Sequence, residues 1–366
     1  NTYFGHKAGS NNATGDDNVF IGSNAGKGSH GNSNTNNVGI GSDALLAVST
    51  GSYNTVIGTF AGDAITTSSN CTLIGRAAGS AINHTDANGT VCVGNDSGES
   101  ITSAIGTTAI GKGALGANQT GDNNTAVGFE SAKVNNTGYK NTTLGWNSFY
   151  TNQTGYSNTA IGAEALYYTT SDENVAVGDR AGAYTTGDAN TYVGFKAGFG
   201  ASGAETHNTG VGHNALLKIT DGGFNVSIGS RSGEDLTTGD FNVFIGDYAG
   251  HAIVDGDRCI AIGHSALAAN VTSAGDGTVA IGYLALTALT SGAGNTAVGY
   301  QALDAEDTGG NSTAVGYQAL SAQNNDTGHN TAVGWTAGDL IVGGYSNVLI
   351  GSEAGTTGTN DLVGGY

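Results

Sequence analysis

Asn295-Thr-Ala-Val-Gly-Tyr-Gln-Ala-Leu303 is one copy of a short unit that recurs along the whole chain. The unit reads Asn, then Thr or Val, a small apolar residue, Ile or Val, and Gly, followed by two variable residues, Ala, and Gly or Leu. It returns at Asn124-Thr-Ala-Val-Gly-Phe-Glu-Ser-Ala132 and at Asn18-Val-Phe-Ile-Gly-Ser-Asn-Ala-Gly26. The central glycine recurs from Gly5 to Gly351 with a mean spacing of about 17 residues. A period this short and this constant predicts a solenoid rather than a globular enzyme.

The repeat predicts an all-β protein, a parallel β-solenoid or β-roll of about 21 coils of roughly 17 residues. Each coil is numbered here from its Asn as position 1, so the central glycine is position 5. Glycine supplies 64 of 366 residues, and each Gly inside a helix costs roughly 1 kcal/mol relative to Ala, so we expect almost no helix. Because the repeat is never interrupted, it predicts one continuous solenoid domain over residues 1–366. Neither end shows a cap, so we expect a fragment of a longer chain.

Positions 2 to 4 predict a short strand. Position 2 is Thr, Val or Ile and position 4 is Ile or Val with rare exceptions. Side chains two residues apart share one face of a strand, so positions 2 and 4 are predicted to form the core. Gly at position 5 fits a corner, and polar turns such as Thr120-Gly121-Asp122-Asn123 precede the next strand. Asn at position 1 indicates either a ladder of side-chain amides or a left-handed turn residue.

Position 3 should point away from positions 2 and 4, yet it is Ala in nine coils and otherwise mostly apolar. The strand is therefore predicted to be buried on both faces. Two covers are open for position 3: the same column of identical chains around a shared axis, or the second run of its own coil. The first is favoured, because small Ala residues permit close approach, and it predicts a homo-oligomer, a trimer above all.

Composition restricts the partners. The formal net charge is −19, which argues against binding nucleic acid or an anionic membrane surface. No apolar run approaches the roughly 20 residues of a membrane span.

The cysteines do not form a disulfide framework. Cys71 and Cys259 share position 1 in distant coils, and Cys92 follows Cys71 by one coil at another position. Three free thiols are expected.

One outward column predicts a candidate site. Position 6, just after the glycine corner, is Tyr283, Tyr300, Tyr317 and Trp335 in four consecutive coils. The favoured interpretation is a stabilising ladder of stacked rings. The alternative is a ligand-contact stripe that receives the sugar rings of a host-surface glycan.

The chain lacks the residue patterns of catalysis. Gly106-Thr-Thr-Ala-Ile-Gly111-Lys112-Gly113 comes near a phosphate loop, but it has no Ser or Thr after Lys and coincides with the repeat. Turns such as Asp255-Gly-Asp257 could bind Ca²⁺ weakly, although solvated turns are the simpler interpretation. We therefore predict no enzyme, and no catalytic, cofactor or metal residues beyond weak Ca²⁺ binding.

Asn174-Val-Ala-Val-Gly178 and Cys259-Ile-Ala-Ile-Gly263 resemble the head repeats of trimeric autotransporter adhesins. The form at residues 295–303 also resembles repeats of phage and virus tail-fibre proteins. The resemblance covers the whole chain and implies a left-handed, trimeric β-roll on a cell surface or a virion. The unit here is longer than the usual adhesin head coil. The stalk and anchor of an adhesin, and the self-cleaving chaperone of a tail fibre, are not recognisable in this segment.

These observations predict an extracellular structural fibre or adhesin segment that spaces or displays a binding tip, without catalysis. The alternatives are a tail-fibre shaft, or a glycan- or ice-binding solenoid whose own face is the receptor site. A regular outward array of Thr would favour ice. Thr here shares position 2 with Val in the predicted core, so ice binding ranks low.

Overall fold

The computed structural model describes residues 1–29, 31–200, 203–272, 275–324 and 326–356. The chain divides into two compact units, Asn1–Ala183 and Tyr184–Tyr366, and each is described by itself. Every strand has three residues and occupies positions 2 to 4 of its coil, as the sequence predicts. The described residues contain essentially no helix.

Unit 1 contains eleven strands: β1 Thr2–Phe4, β2 Val19–Ile21, β3 Val38–Ile40, β4 Thr55–Ile57, β5 Thr72–Ile74, β6 Val91–Val93, β7 Thr108–Ile110, β8 Thr125–Val127, β9 Thr142–Leu144, β10 Thr159–Ile161 and β11 Val175–Val177. Unit 2 contains ten: β12 Thr191–Val193, β13 Thr209–Val211, β14 Val226–Ile228, β15 Val243–Ile245, β16 Ile260–Ile262, β17 Val279–Ile281, β18 Thr296–Val298, β19 Thr313–Val315, β20 Thr331–Val333 and β21 Val348–Ile350.

Within each unit, successive strands pair in parallel, and equal positions of neighbouring coils face each other. In unit 2, for example, Thr296 pairs with Thr313 and Ala297 with Ala314. Each unit is thus a β-solenoid whose like residues form columns along the stacking direction. The prediction of a parallel β-solenoid is confirmed.

Each coil closes because its chain enters the left-handed region at fixed positions. Position 5 is always Gly, with φ between 128° and 146°. A Cβ at Gly299 would lie 2.1 Å from the carbonyl oxygen of Gly316 in the next coil, so no other residue fits this column. Positions 0, 7 and 9 also have positive φ, for example 59° at Asn311, 50° at Gln301 and 51° at Leu303.

The core lies inside each coil, and here one prediction is wrong. Position 3 is fully buried in every interior coil, including Ala297 and Ala314, whereas positions 2 and 4 face outward and are only partly covered. Within one coil, Ser227 at position 3 donates a hydrogen bond to Ser232 at position 8, and Phe20 at position 3 lies against Gly26 at position 9. The second of the two proposed covers is therefore the correct one, and position 3 does not face another chain.

Positions 3 and 9 share one narrow space and complement each other in size. Phe20, at position 3, is followed by Gly26 at position 9, where an added Cβ would lie 2.5 Å from the Phe20 ring. Small Ala297 is instead followed by Leu303, and both are fully buried. Leu at position 9 occurs only where position 3 is Gly or Ala, that is, where position 3 leaves volume unfilled.

Position 1 forms the predicted ladder of side-chain amides. The Oδ1 of Asn208 accepts hydrogen bonds from the backbone N–H and the Nδ2 of Asn225, at 2.9 Å and 3.1 Å. Asn225 repeats both bonds with Asn242 in the next coil. The left-handed turn residue, the other interpretation, is instead the residue at position 0.

A longer coil places its extra residues in the polar turn. The step from Gly75 to Gly94 has 19 residues, and its turn contains a short 3-10 helix at Thr85–Ala87. The expectation that insertions gather in the turn before the next strand is confirmed for this coil.

Candidate interaction surface

The outward positions 2 and 4 form an uncharged surface on the strands of each unit, called here the outer face; position 4 is apolar, and position 2 is Thr, Val or Ile. Strand side chains alternate, and position 3 points inward, so positions 2 and 4 point away from the coil. Leu144 is 46% exposed and Val315 is 37% exposed. Apolar surface of this kind is costly to leave in water and usually marks an interaction site.

The outer face carries no charge. Position 2 contains only Thr, Val and Ile, and position 4 only Ile, Val, Leu and Phe, in all 21 strands. Charged residues nevertheless make up 11% of the chain. Strands favour β-branched residues, and like charges stacked in one column would repel. Burial against a partner would exclude charge from this surface as well.

The predicted aromatic column lies along one border of the outer face. The rings of Tyr283 and Tyr300 stack at 5.1 Å between centroids, and those of Tyr300 and Tyr317 at 4.9 Å. His264 extends the stack at 5.4 Å from Tyr283, and Trp335 occupies the same column with 52% of its surface exposed. Because the ring of Tyr300 lies between the rings of Tyr283 and Tyr317, both of its faces are covered. Only its edge and its hydroxyl meet solvent.

A second aromatic stack lies at position 0, on the other border of the outer face, and sequence reasoning missed it. The ring of Phe224 stacks on His207 at 4.7 Å and on Phe241 at 5.1 Å. Phe224 and Phe241 are 50% and 55% exposed. Their common place directly before the Asn of position 1 is the signal that could have revealed the stack.

The turn carboxylates form a ladder rather than an open ion site. Asp276 accepts the backbone N–H of Asp257 at 2.9 Å, and Asp257 accepts that of Asp240 at 2.8 Å. Asp122 likewise accepts the N–H of Ile105 at 2.8 Å. Among the residues that the structure describes, no group of three or more His, Cys, Asp or Glu side chains could hold a metal ion.

The other chemistry-bearing residues are placed within the repeat. The stretch that approaches a phosphate loop contains strand β7 and its Gly111 corner. The three cysteines are buried free thiols. Burial raises the pKa of Cys71 and of Cys259 to about 11, so both remain protonated and poorly nucleophilic at neutral pH.

Glu205 is a fully buried carboxylate of unit 2. It occupies a turn column that elsewhere is mostly Gly, Ala or Ser. By strict geometry neither of its carboxyl oxygens has a hydrogen-bond partner among the described residues, nor has the hydroxyl of Tyr192. Thr185 and the backbone of Thr186 are near enough to offset only part of the cost of burying Glu205. Burial raises the pKa of Glu205 to about 8 and that of Tyr192 well above its ordinary value.

No protein-family model matches the chain, and no curated protein matches it. In the described part of the structure, no helix is both long and apolar enough to cross a membrane. The features that indicate a function are therefore the uncharged outer face and the aromatic stacks at positions 0 and 6.

Proposed function

We propose that this chain is a structural segment of an extracellular fibre or adhesin, assembled from copies of itself, that spaces or displays a binding tip on a cell surface or a virion. It carries out no catalysis. The β-solenoid fold is compatible with this role. The resemblance of its units to autotransporter adhesin heads and tail-fibre repeats supports it and favours three copies.

The uncharged outer face carries the proposal. Val298 and Val315 lie in neighbouring coils of that face, in a column without any polar residue. A second copy of the chain has the same coil spacing, so its apolar columns can match these coil by coil. Removing apolar surface from water stabilises such an assembly by roughly 25 cal/mol per Å².

Native mass spectrometry tests the assembly. Wild-type protein should be an oligomer, with a trimer as the expected form. The double variant Val298→Asp, Val315→Asp should be monomeric, because it buries carboxylates without partners in the interface. Its circular dichroism should not change, because both side chains are outside the coil's own core.

The matched control is Gln301→Asp, Gln318→Asp, which adds the same charge in the same coils at position 7. Asp already occupies that position at Asp43. This control should remain oligomeric. A wild-type monomer at high concentration would overturn the proposal.

Ice binding is a second candidate, because the structure removes the reason for ranking it low. Position 2 is outward rather than in the core, and Thr108, Thr125, Thr142 and Thr159 form four consecutive members of that column. Threonines repeated at about 4.8 Å along a stack of parallel strands form a regular array.

An ice recrystallisation assay separates the two candidates, because they compete for one face. Ice binding requires wild-type protein to inhibit recrystallisation and Thr125→Lys, Thr142→Lys to abolish that inhibition. An oligomer that leaves ice growth unchanged supports the fibre segment and eliminates ice binding.

A further inference from the structure

An open groove crosses three neighbouring coils of unit 2. Its volume is about 470 Å³, which is within the range of small-molecule sites. The described residues that line it come from positions 7, 10, 11 and 13 of their coils. The groove is therefore separate from the outer face, whose residues are at positions 2 and 4.

The repeat departs from its usual residues where the groove lies. In unit 2, position 10 is small, polar or charged except at Phe199 and Leu217, which occur in neighbouring coils and both line the groove. Position 11 is Ala in nine coils of the chain, but here it is Gly200 and Lys218. An added Cβ at Gly200 would lie 2.9 Å from the carbonyl oxygen of Ile219, so the groove stays open at this point. Departures of this kind are expected at functional sites.

An ammonium group lies beside the apolar wall of the groove. The Nζ of Lys196 is 5.4 Å from the ring centroid of Phe199 and 5.4 Å from that of Phe195. The ring faces attract this cation but do not neutralise it, and the ion pairs of the described residues do not include Lys196. Lys218 is instead paired with Asp235 at 2.8 Å. Lys196 is therefore the cation of the groove that is available to an anion.

The hydroxyl groups of the groove are already engaged. Thr220 donates from Oγ1 to the carbonyl oxygen of Thr237 at 3.0 Å, and Thr237 donates from Oγ1 to that of Val254 at 2.9 Å. The described lining residues include no Asn, Gln, Asp or Glu. A sugar ring needs such side chains to replace the water that its own hydroxyls lose on binding. The groove therefore fits an apolar ligand with one anionic group better than it fits a sugar.

We propose that the groove binds the anion of a medium-chain fatty acid, with the carboxylate at Lys196 and the alkyl chain against Phe199 and Leu217. Burial against these two side chains removes the alkyl chain from water. The three coils span about 10 Å at the spacing of neighbouring strands, which suits a medium-chain tail. The site belongs to one chain, so it goes beyond the proposed fibre function and does not require self-association.

Isothermal titration calorimetry of the full chain with decanoate tests the proposal, at concentrations far below those at which decanoate forms micelles. We expect one saturable site per chain, with a dissociation constant below about 1 mM. Octanoate should bind about 15-fold more weakly, because each buried methylene strengthens binding about fourfold. Glucuronate, an acidic sugar, should not bind. Absence of saturable decanoate binding, or tighter binding of glucuronate than of decanoate, would overturn the proposal.

A lysine variant tests the charge. Lys196→Gln should weaken decanoate binding roughly fivefold or more, because it removes the charged partner of the carboxylate. Lys140→Gln is the matched control, since the Nζ of Lys140 also lies over a ring, 5.7 Å from the centroid of Tyr139, but in unit 1 and outside the groove. The control should bind decanoate as the wild type does. Equal weakening by both variants would show a general attraction to positive charge and would contradict the site.

A second variant tests the apolar wall. Leu217→Glu places a carboxylate in the groove and should abolish decanoate binding. Leu217 is only partly buried, and circular dichroism checks that the variant is folded; if it is not, Lys196→Gln decides. Unchanged decanoate binding by folded Leu217→Glu would overturn the proposal.

The outer-face variant Val298→Asp, Val315→Asp separates this inference from the proposed function. Its groove is intact, so it should bind decanoate like the wild type even as a monomer. Loss of decanoate binding in that variant would contradict a site within one chain. An oligomeric wild type that does not bind decanoate would overturn the groove and leave self-association intact.

Discussion

At the scale of single residues, the solenoid depends on backbone conformations that few side chains allow. Two constraints require glycine at position 5: its φ disfavours any side chain, and a Cβ would collide with the carbonyl group of the next coil. Position 0 also has a positive φ, but near 59° rather than near 140°; Asn and Asp tolerate that conformation, and the position faces solvent, so it accepts Asn, Asp and even Phe. The same sign of φ therefore has different consequences in the two columns.

Gly299→Ala should destabilise unit 2 by more than about 2 kcal/mol, because the added Cβ strains the backbone and meets the carbonyl of Gly316. Gly277→Asn is the matched control, since Gly277 also has positive φ, at 72°, but has no atom within 4 Å of an added Cβ. Denaturant unfolding measures both. Equal stability of the two variants would show that the stacked glycines are not tightly packed.

The buried carboxyl of Glu205 should make unit 2 less stable as pH rises. Its pKa is about 8 in the folded chain and about 4.3 in an unfolded one, so the folded state binds the extra proton between these values. Stability should then fall from pH 5 to pH 8, by on the order of 4 kcal/mol, and level off above pH 8.

Glu205→Gln should remove most of this pH dependence, because the amide does not titrate. Thermal melting at several pH values, or hydrogen exchange of the amides near Glu205, measures the effect. Wild-type stability that rises between pH 5 and pH 8 would show that Glu205 is ionised and compensated in the folded chain.

At the scale of one coil, the side chains at positions 3 and 9 share one core space, so the volume of one limits the volume of the other. A large residue at position 3 requires Gly at position 9, and a small one permits Leu. The coil is too narrow to hold two large side chains. Where both are small, as at Ala332 and Gly338, leucines of the neighbouring coils fill the space, since an added Cβ at Gly338 would lie 2.8 Å from Leu320 and from Leu349. The aromatic columns at positions 0 and 6 are stabilised differently, because each ring stacks on the ring of the next coil.

The paired volumes predict strong coupling in a double-mutant cycle. Leu303→Gly alone leaves a cavity, and Ala297→Phe alone overfills the coil, so each should cost about 2–4 kcal/mol. The double variant reproduces the combination seen at Phe244 and Gly250 and should recover at least 1 kcal/mol of the summed loss. Additive losses, measured by denaturant unfolding, would contradict the shared space.

Replacing Tyr283, Tyr300, Tyr317 and Trp335 with Ser distinguishes a ring ladder from a glycan site. Since each stacked pair contributes roughly 0.5–1.5 kcal/mol, the ladder predicts a clear fall in melting temperature. Glycan binding predicts lost signal on a glycan array at an almost unchanged melting temperature. The covered ring faces lead us to expect the fall in stability.

At the scale of the whole molecule, charge and apolar surface are separated. The net charge is −19, yet the outer face has no ionisable group. Self-association is therefore driven by the face and opposed by repulsion among chains of like charge. This division predicts how assembly responds to salt.

Raising NaCl from 20 mM to 300 mM should strengthen association several-fold, because the screening length falls below about 10 Å and repulsion between chains weakens. Sedimentation of the full chain over a concentration series measures the dissociation constant. The Gln301→Asp, Gln318→Asp variant has more negative charge and should respond more steeply. Weaker association at high salt would instead indicate ion pairs across the contact.

The sequence determined the period, the strand positions, the glycine corners and the absence of helix, because these follow from local backbone chemistry repeated at a constant spacing. It also located the aromatic column at position 6. The inner and outer faces of the strand were predicted the wrong way round, however. Ala297 was predicted to face another chain and the adjacent Val298 to be in the core, whereas Ala297 is buried inside the coil and Val298 points outward.

Only the tertiary structure decided which face of the strand is inside. The period-2 pattern separates position 3 from positions 2 and 4. Because position 2 is Thr, Val or Ile and positions 3 and 4 are mostly apolar, neither face is clearly polar, and the pattern does not show which face is inside. The interior of a 17-residue coil is narrow, and it accepts the small Ala297 beside Leu303 in one coil and Phe20 beside Gly26 in another, so the size of the residue at position 3 does not by itself identify the inner face. The choice thus depends on the volume enclosed when the coil closes, a property of residues far apart in the unit that no single strand records.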